Sequence, residues 1–550
     1  MSPAWRANIH FFGKVFMLRK TAANPTGFDR LSDVVAAHAL HRPDRIAFIE
    51  EERQMSWLSY HEAANRLAVL LVHLGYRRGD MVAVLMPDSL ETHIAFLACE
   101  RAGLVAVAIT PRAGVEEIRH ISSISDARCL ITKTEYRAFA AGELFKEITR
   151  NPDAKLKQHI IIDGPAERYV VDGEILENLP STNDAAGLPG TAPDEIFLLN
   201  TTSGTTGMPK CVKQHQARWF AYAEYVHDAC GATDKDVFMR AIPSSVGFGL
   251  WSGHFTPTLL GATTVILPGF TVERMLAGIE NHKVSVLAAV STQFLMALNS
   301  DAIEKYDLSS LAVLFTGGEA VPFAKAAEFE DRVGAKVLQF YGSNECGAIS
   351  YTKCSDTRER RLNTAGHVIQ AMDVSVILDS AGNSSARTGL GQPLCRGPLM
   401  SFGYYNDEQG NSRLFSEEGF MLLEDKVEID QFGYLRVIGR IGDFIIRGGK
   451  NISAVAVENY ALKHPAVKLA AALPVPDPVY GERVGLAVVL EEGASLDLGD
   501  VVSFLLEQEI SKSYFPEKLF VLNEIPMGSG GKVAKHELRR KLFPDGDATE

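Results

Sequence analysis

Between Asn200 and Lys213 the chain reads NTTSGTTGMPKCVK, and this stretch limits what the rest can be. The IFLL just before it reads as a short buried strand. Glycines at 204 and 207 let the backbone fold closely round an anion, turning successive N–H groups toward phosphate oxygens. Thr201, Thr202, Ser203, Thr205 and Thr206 add hydroxyl donors, and Lys210 adds a positive charge. A turn of this composition is also an ordinary way to leave a strand, so the spelling carries more weight than the composition. It is not the Walker loop, which needs GxxxxGK[ST]; here Pro209 precedes Lys210 and Cys211 follows it.

At 550 residues the chain predicts several domains. Its 46% hydrophobic and 22% charged content is that of an ordinary globular protein. No apolar run reaches the roughly 18 residues of a membrane span. The opening MSPAWRANIHFFGKVFMLRK lacks an uninterrupted apolar core, so it reads as a docked N-terminus rather than a signal peptide, with a short lipid-surface helix as the other option. Seven cysteines without a CxxC pair point to reduced thiols in a cytoplasm, not to a disulfide framework or a zinc site. A net charge of −13 argues against nucleic acid as a partner. Anionic substrates would have to be met by local clusters such as Lys532, Lys535, Arg539 and Arg540, or Arg440, Arg447 and Lys450.

From Leu31 to about Thr134 the pattern alternates helix and strand. SWLSYHEAANRLAVLLVHLG has cap-like polar residues, apolar residues at helical spacing and a final Gly75. RGDMVAVLMP and LVAVAIT read as buried strands, ETHIAFLACERAG and VEEIRHISSISDA as helices. Such repetition implies a parallel sheet covered on both faces. The stretch at 200–213 is then expected to open a second α/β block, continued by VSVLAAVSTQFLMAL and LAVLFTGGEAV. Beyond Ala365, MDVSVIL, PLCRGPLMSFGYY and GYLRVIGR are short alternating strands of a small β-rich part. Residues 441–550 are compact and mixed, and read as a separate α+β unit.

Thr316-Gly317-Gly318-Glu319-Ala320 and Tyr341-Gly342-Ser343-Asn344-Glu345 each follow an apolar strand, where a ligand crevice forms in such sheets. TSGTTGMPK resembles the phosphate loop of the adenylate-forming superfamily, which includes acyl-CoA synthetases, luciferases and the adenylation domains of peptide synthetases. The other segments resemble that family's later motifs in order, so the likeness spans residues 30–540. It implies a large N-terminal domain over 1–440, built of two α/β sheet subdomains and a small β-barrel-like one. A mobile lid over 441–550 would swivel about a hinge near Gly442.

The resemblance also implies roles. Thr202, Ser203, Gly204, Thr205, Thr206, Gly207 and Lys210 would hold phosphates. Gly317, Gly318 and Glu319 would face the adenine, on which Tyr341 stacks; Gly342 would admit the acyl group, and Ser343 and Asn344 would complete the motif. Glu345 would ligate Mg²⁺, Asp425 the ribose hydroxyls, and Arg440 the ribose and phosphates. Arg447, Gly448, Gly449 and Lys450 match the CoA tunnel, and RGGKNIS favours the acyl-CoA synthetase branch. Lys532 matches the lysine that bridges carboxylate and α-phosphate during adenylation.

The acid wall is expected in AIPSSVGFGLWSGHF. There Ile242, Val246, Phe248, Leu250 and Trp251 supply apolar lining, while Ser244, Ser245, Gly247, Gly249 and Gly253 take little volume. Those small residues predict room for a bulky aryl, alicyclic or polycyclic acid, with a straight fatty chain next. Four positions depart from the family: Ser244-Ser245 for an aromatic–His pair, Asn344 for Thr, Cys211 for Gly, and Gly442 for Asp or Lys. The expected activity is an acid–CoA ligase using ATP, Mg²⁺ and CoA through an acyl-AMP. Three alternatives stay open: a thioesterification specialist fed by a partner adenylating enzyme, a ligase loading an acyl carrier, and a non-catalytic nucleotide-binding protein. A homodimer is also admitted.

Overall fold

Nine strands form one sheet in the order His367–Val368, Gly347–Tyr351, Lys336–Ser343, Val313–Gly317, Val286–Ala288, Val237–Arg240, Thr263–Ile266, Ile46–Glu50, Arg53–Ser56. The six from Lys336–Ser343 to Ile46–Glu50 are mutually parallel. This computed structural model describes residues 20–136, 139–150, 154–163, 168–176, 181–202, 208–318, 321–378, 385–441, 444–447, 450–477, 481–508, 510–528 and 533–543. A second, eight-stranded sheet runs Glu174–Ile175, Arg168–Val171, Gln158–Asp163, Cys129–Thr132, Met81–Val84, Val105–Ala108, Ile196–Thr201, Cys211–His215.

The sheets do not follow the chain as the sequence suggested. Strand Ile46–Glu50, from the first α/β region, inserts beside Thr263–Ile266 of the later one. The hairpin of Ile196–Thr201 and Cys211–His215 instead completes the earlier sheet, with Leu199 level with Val107. The expectation that this stretch opens the second block is therefore corrected. Parallel strands need long crossovers, and such a connection can deliver the next strand of the chain to a distant place in the sheet or to the other sheet.

Period-two alternation explains why both faces of each sheet are covered. Val82, Val84, Ala106 and Leu198 point toward the other sheet and share one core with Phe48, Phe238, Val286 and Phe315. Between the sheets lie helices Trp57–His73, Leu90–Ala102 and Gln216–Cys230, whose buried residues belong to this same core. The intervening Ala83, Val105, Leu130 and Leu199 face outward, under helix Val115–Ile124. Both early helices carry the signals read in sequence. Ser56 accepts from the Ser59 N–H and Ser89 from the Thr92 N–H, and the second helix ends on left-handed Gly103 (φ 72°).

Strands between 373 and 440 form an antiparallel sheet, and Phe444–Arg447, Lys450–Ser453, Val467–Asp477, Gly481–Leu490 and Lys518–Val521 form a mixed one, its last strand parallel to Gly481–Leu490, with its own core around Ile445, Val457, Val484 and Leu486. Among the described residues no helix is long and apolar enough to cross a membrane.

Helix Gln216–Cys230, which floors the site, is anchored by Glu100 at the far end of Leu90–Ala102. Glu100 accepts from the Ser32 N–H at 3.1 Å and from Gln216 Nε2 at 3.2 Å. Burial pushes its carboxyl up from 4.5 to about 7, against the pull of those two donors. A carboxyl raised in the folded state binds more protons there than in the unfolded chain, so its contribution is full below the unfolded value and lost as pH rises. In paired urea titrations, the stability of the wild type relative to Glu100→Gln is expected to fall by about 3 kcal/mol between pH 4.5 and 7. A difference independent of pH would contradict this.

Candidate functional site

Strands Ile196–Thr201, Val237–Arg240, Val313–Gly317 and Lys336–Ser343 all end on the same side, and the chemistry-bearing segments leave from those ends. The base of the 203–207 loop is closed by two bonds: the Thr202 N–H donates to the Lys210 carbonyl at 3.0 Å, and the Lys210 N–H to Thr202 Oγ1 at 3.2 Å. Ser203, Gly204, Thr205, Thr206 and Gly207 themselves lie outside the described residues. Cys211, a departure from the family, is buried in the outward core with Leu199, where burial pushes its thiol up to about 12. It packs among the outward-facing apolar residues of its sheet.

Lys210 Nζ sits 3.1 Å from Asp407 Oδ2 and 4.5 Å from the centre of the Tyr404 ring. The Tyr404 hydroxyl in turn donates to Glu345 Oε1 at 3.0 Å. Burial raises Asp407's carboxyl, but the Gly410 N–H and Lys210 outweigh it and hold it below 3.8. Burial and the Glu345 carboxylate push the Tyr404 phenol far above its usual range, so it stays a donor. Tyr404 and Asp407 were not singled out in the sequence. They arrive because Phe402 and Tyr405 pair with Lys213 and Cys211 along the outer edge of the hairpin, a long-range pairing that no local pattern announces.

Tyr341, buried, donates its hydroxyl to Asp425 Oδ2 at 2.6 Å. Asp425 lies opposite Arg440 in an antiparallel pair, with Arg440 Nε 3.6 Å from Oδ1. Three residues expected to hold a nucleoside are thus linked in one chain. Gly317 lies level with Phe340, and a Cβ there would meet the Phe340 carbonyl at 2.6 Å. Gly318 is left-handed at φ 83°. A Cβ on Gly342 would overlap the Gly347 carbonyl, so that glycine is required by its own hairpin. Ser343 Oγ accepts from the Glu345 and Cys346 N–H groups, both at 3.2 Å, fixing the turn that carries Glu345. Glu319 lies outside the described residues.

Asn344 sits at a junction. Its Oδ1 accepts from Asn200 Nδ2 at 3.1 Å and from the Gly247 N–H at 2.9 Å. Its carbonyl accepts from Gln214 Nε2 at 3.2 Å and Arg218 Nη1 at 3.0 Å. Gln214 and Arg218 are fully buried. Sequence offered no signal for them, since Gln and Arg side chains usually face water.

The acid wall departs from expectation. Gly247, Gly249 and Gly253 do not open space for a ligand: a Cβ at each would overlap Asn344 Oδ1, the Pro243 carbonyl and the Arg240 side chain. Ser244 is buried, holds Arg240 through Oγ, and donates its N–H to Asp88 Oδ1 at 2.9 Å. Ser245 is buried as well. Trp251 is sealed behind Phe248, stacked at 5.5 Å and 14°, with Phe315 and Phe340 edge-on at 5.6 and 5.8 Å. Phe248, packed edge-on against Phe340 at 4.8 Å, stays half-buried, as does Val246. The inference from small residues to a roomy pocket is thereby corrected: protein atoms fill that volume.

On the C-terminal side, Arg447 is engaged with Glu517 at 3.2 Å and does not join the other candidates. Arg112 Nη1 reaches across to the Gly528 carbonyl at 3.0 Å. Lys450 pairs through its backbone with Arg447. Gly442, Gly448, Gly449 and Lys532 lie outside the described residues.

Residues 35–405 match the AMP-binding enzyme family and residues 456–532 the AMP-binding enzyme C-terminal domain. The chain is 28% identical over 517 residues to the medium-chain fatty-acid–CoA ligase of Escherichia coli, covering 93% of this chain and 90% of that one. It is 29% identical over 515 residues to the vibriobactin-specific 2,3-dihydroxybenzoate-AMP ligase of Vibrio cholerae, covering 93% and 94%. The solved structure of o-succinylbenzoate CoA synthetase from Bacillus subtilis, in complex with its acyl-adenylate intermediate, is similar with a TM-score of 0.76 and 26% identity, covering 92% of this chain and 97% of that one. With these matches over nearly its whole length, the chain belongs to the AMP-binding enzymes, the ATP-dependent adenylate-forming ligases.

Proposed function

We propose that this protein is an acid–CoA ligase that joins an aryl carboxylic acid to ATP as an acyl-AMP and then to the CoA thiol. The observation that supports the reading is that two side-chain chains, Lys210–Asp407 with Tyr404–Glu345 and Tyr341–Asp425–Arg440, leave the strand ends beside the Thr202–Lys210 closing pair. Carboxylate and triphosphate are both anions, so the site must neutralise their repulsion and align them. Lys210 at the loop's closing pair and Arg440 at the ribose side are placed for charge. Asp425, already bonded to the Tyr341 hydroxyl, has oxygens suited to a diol. Among the described residues no three His, Cys, Asp or Glu gather to hold a metal. Glu345, the carboxylate given this role by the resemblance, suits a hard cation that takes one protein carboxylate and completes its shell with phosphate oxygens and water. Bound there, Mg²⁺ would neutralise phosphate charge.

The half-buried Phe248 edge on Phe340 favours a flat ring, and relatives act on 2,3-dihydroxybenzoate and o-succinylbenzoate. A polycyclic or alicyclic acid loses the support it had from the small residues. A medium-chain acid is the second reading, motivated by the E. coli relative. RGGKNIS supports free CoA over a carrier protein, and the separate family match at 456–532 is consistent with a lid that swaps between the half-reactions.

Acid-dependent exchange of pyrophosphate into ATP across an acid panel tests the first half-reaction; no exchange with any acid overturns the reading. Lys532→Ala is expected to abolish exchange yet leave thioester formation from synthetic acyl-AMP and CoA intact. Loss of both would refute the role given to this lysine. Tyr341→Phe keeps the ring but loses the bond to a carboxylate, so AMP is expected to bind about 10-fold more weakly by calorimetry. Unchanged affinity would separate Tyr341 from nucleotide binding.

A further inference from the structure

The ammonium that the resemblance gives to the nucleotide's phosphates already has an anion beside it. Lys210 Nζ stands 3.1 Å from Asp407 Oδ2 and 4.5 Å from the centre of the Tyr404 ring, and its side chain is 43% exposed, which leaves one side open to a ligand. A pair this close to the surface ordinarily contributes little. Three features of the surrounding chain set this one apart.

The carboxylate is fixed: Asp407 caps helix Glu408–Leu414, and its Oδ1 accepts from the Gly410 N–H at 2.7 Å, which leaves Oδ2 for the lysine. The backbone that delivers it is bent to do so. Asn406 lies in the left-handed region at φ 50°, and its Nδ2 is tied to the Ile124 carbonyl at 3.0 Å and to Asp126 Oδ2 at 3.1 Å. Asparagine bears that conformation at lower cost than most residues. Room for the ammonium comes from an absent side chain: a Cβ at Gly410 would overlap Asp407 Oδ2 and lie 2.7 Å from Lys210 Nζ.

We propose that Asp407 is an internal surrogate for phosphate, its carboxylate competing with the outer phosphates of the nucleotide for the Lys210 ammonium. This rests on the ligase reading above and adds a regulation of the same site. Carboxylate and phosphate oxygens both take an ammonium by charge-assisted N–H donation. Two anions drawn to one ammonium also repel each other at short range, so binding of the triphosphate draws Lys210 off Asp407. Pyrophosphate leaves more easily in turn, because Asp407 takes the lysine back. AMP lacks the outer phosphates and leaves the pair undisturbed. Asp407 therefore sets how tightly the site holds triphosphate relative to monophosphate, and Asn406 and Gly410 are the positioning residues that seat it.

Calorimetric titration of ATP and of AMP into the whole chain tests this, with thermal melts of every variant. Asp407→Asn keeps the helix cap, since asparagine caps as well as aspartate, and removes the competing charge. It is expected to bind ATP about 5-fold more tightly, with AMP affinity unchanged. In a Lys210→Gln background the same substitution should alter ATP affinity by less than about 2-fold. An equal gain there would mean plain repulsion between Asp407 and the nucleotide, and overturns the competition. Gly410→Ala covers the case in which Lys210→Gln binds ATP too weakly to measure. Alanine favours the helix, so the fold is kept while the added methyl parts Asp407 from Lys210, and ATP should tighten about 3-fold. ATP affinity unchanged or weakened in either Asp407→Asn or Gly410→Ala overturns the proposal, and so does equal tightening of AMP. A wild type that binds ATP but exchanges no pyrophosphate with any acid refutes the ligase reading and leaves the cycle readable. An exchanging wild type whose ATP affinity does not rise in Asp407→Asn refutes only the competition.

Discussion

A guanidinium sealed from water without a carboxylate beside it is costly, and Arg218 is such a group: fully buried, with no ion-pair partner among the described residues. What it has instead are oxygens, the Gln214 amide and the Asn344 carbonyl, with the Trp219 ring 4.8 Å from its carbon. Burial pulls its pKa down, so the surrounding acceptors are what keep the cation in place. That demand propagates. Every amide along Gln214, Asn200 and Asn344 is oriented because Arg218 cannot accept, and the corner carrying Glu345 inherits a fixed geometry. Rigidity of this kind suits a site whose task is to hold two anions in register, since misplacement by an ångström costs more rate than most single contacts supply.

The exchange of strands between the two sheets has the same consequence at a larger scale. Because Ile46–Glu50 joins one sheet and Ile196–His215 the other, neither sheet is complete without chain from the other's region, and they share one core. The strand ends of both then face a common crevice, which is where ligands bind in open parallel sheets. The antiparallel sheet at 373–440 adds what the parallel ones lack. Asp425 and Arg440 stand opposite each other there, and the connection through Tyr404 and Asp407 runs back along the hairpin to meet Lys210.

Local chemistry was legible in the sequence and long-range pairing was not. Ser56 and Ser89 announce helices, Gly103 closes one, and apolar runs give the strands, because those signals act within a few residues. The spelling of the loop and its later companions placed the family. Nothing local says that Ile46–Glu50 lies beside Thr263–Ile266, or that Tyr404 would reach Glu345. The glycines of the acid wall show the difference most clearly: absent side chains were read as vacant volume, but a sequence cannot say whether a ligand or the protein's own atoms fill the gap. Asn344 gives the converse case. Read as a departure from the family, it turns out to have both donors its oxygen can use.

The filled glycines also decide where substrate preference can be tuned. Gly249 is pressed on the Pro243 carbonyl, so no side chain can be added without moving backbone, and Gly253 is pressed on the buried Arg240. Arg240 in turn holds Asp88 at 2.9 Å and lies 3.2 Å from His93, tying the wall to the other sheet. Overpacking here would be paid for across both sheets. Trp251 is hemmed by Tyr222, Phe248, Phe315 and Phe340 and offers no slack either. Phe248 combines partial exposure with a packing partner, Phe340, that is itself half-buried, and Val246 is partly buried on the same segment. Changes in acid preference within this scaffold should therefore concentrate at Phe248 and Phe340, where volume can change without displacing a backbone carbonyl or a buried charge.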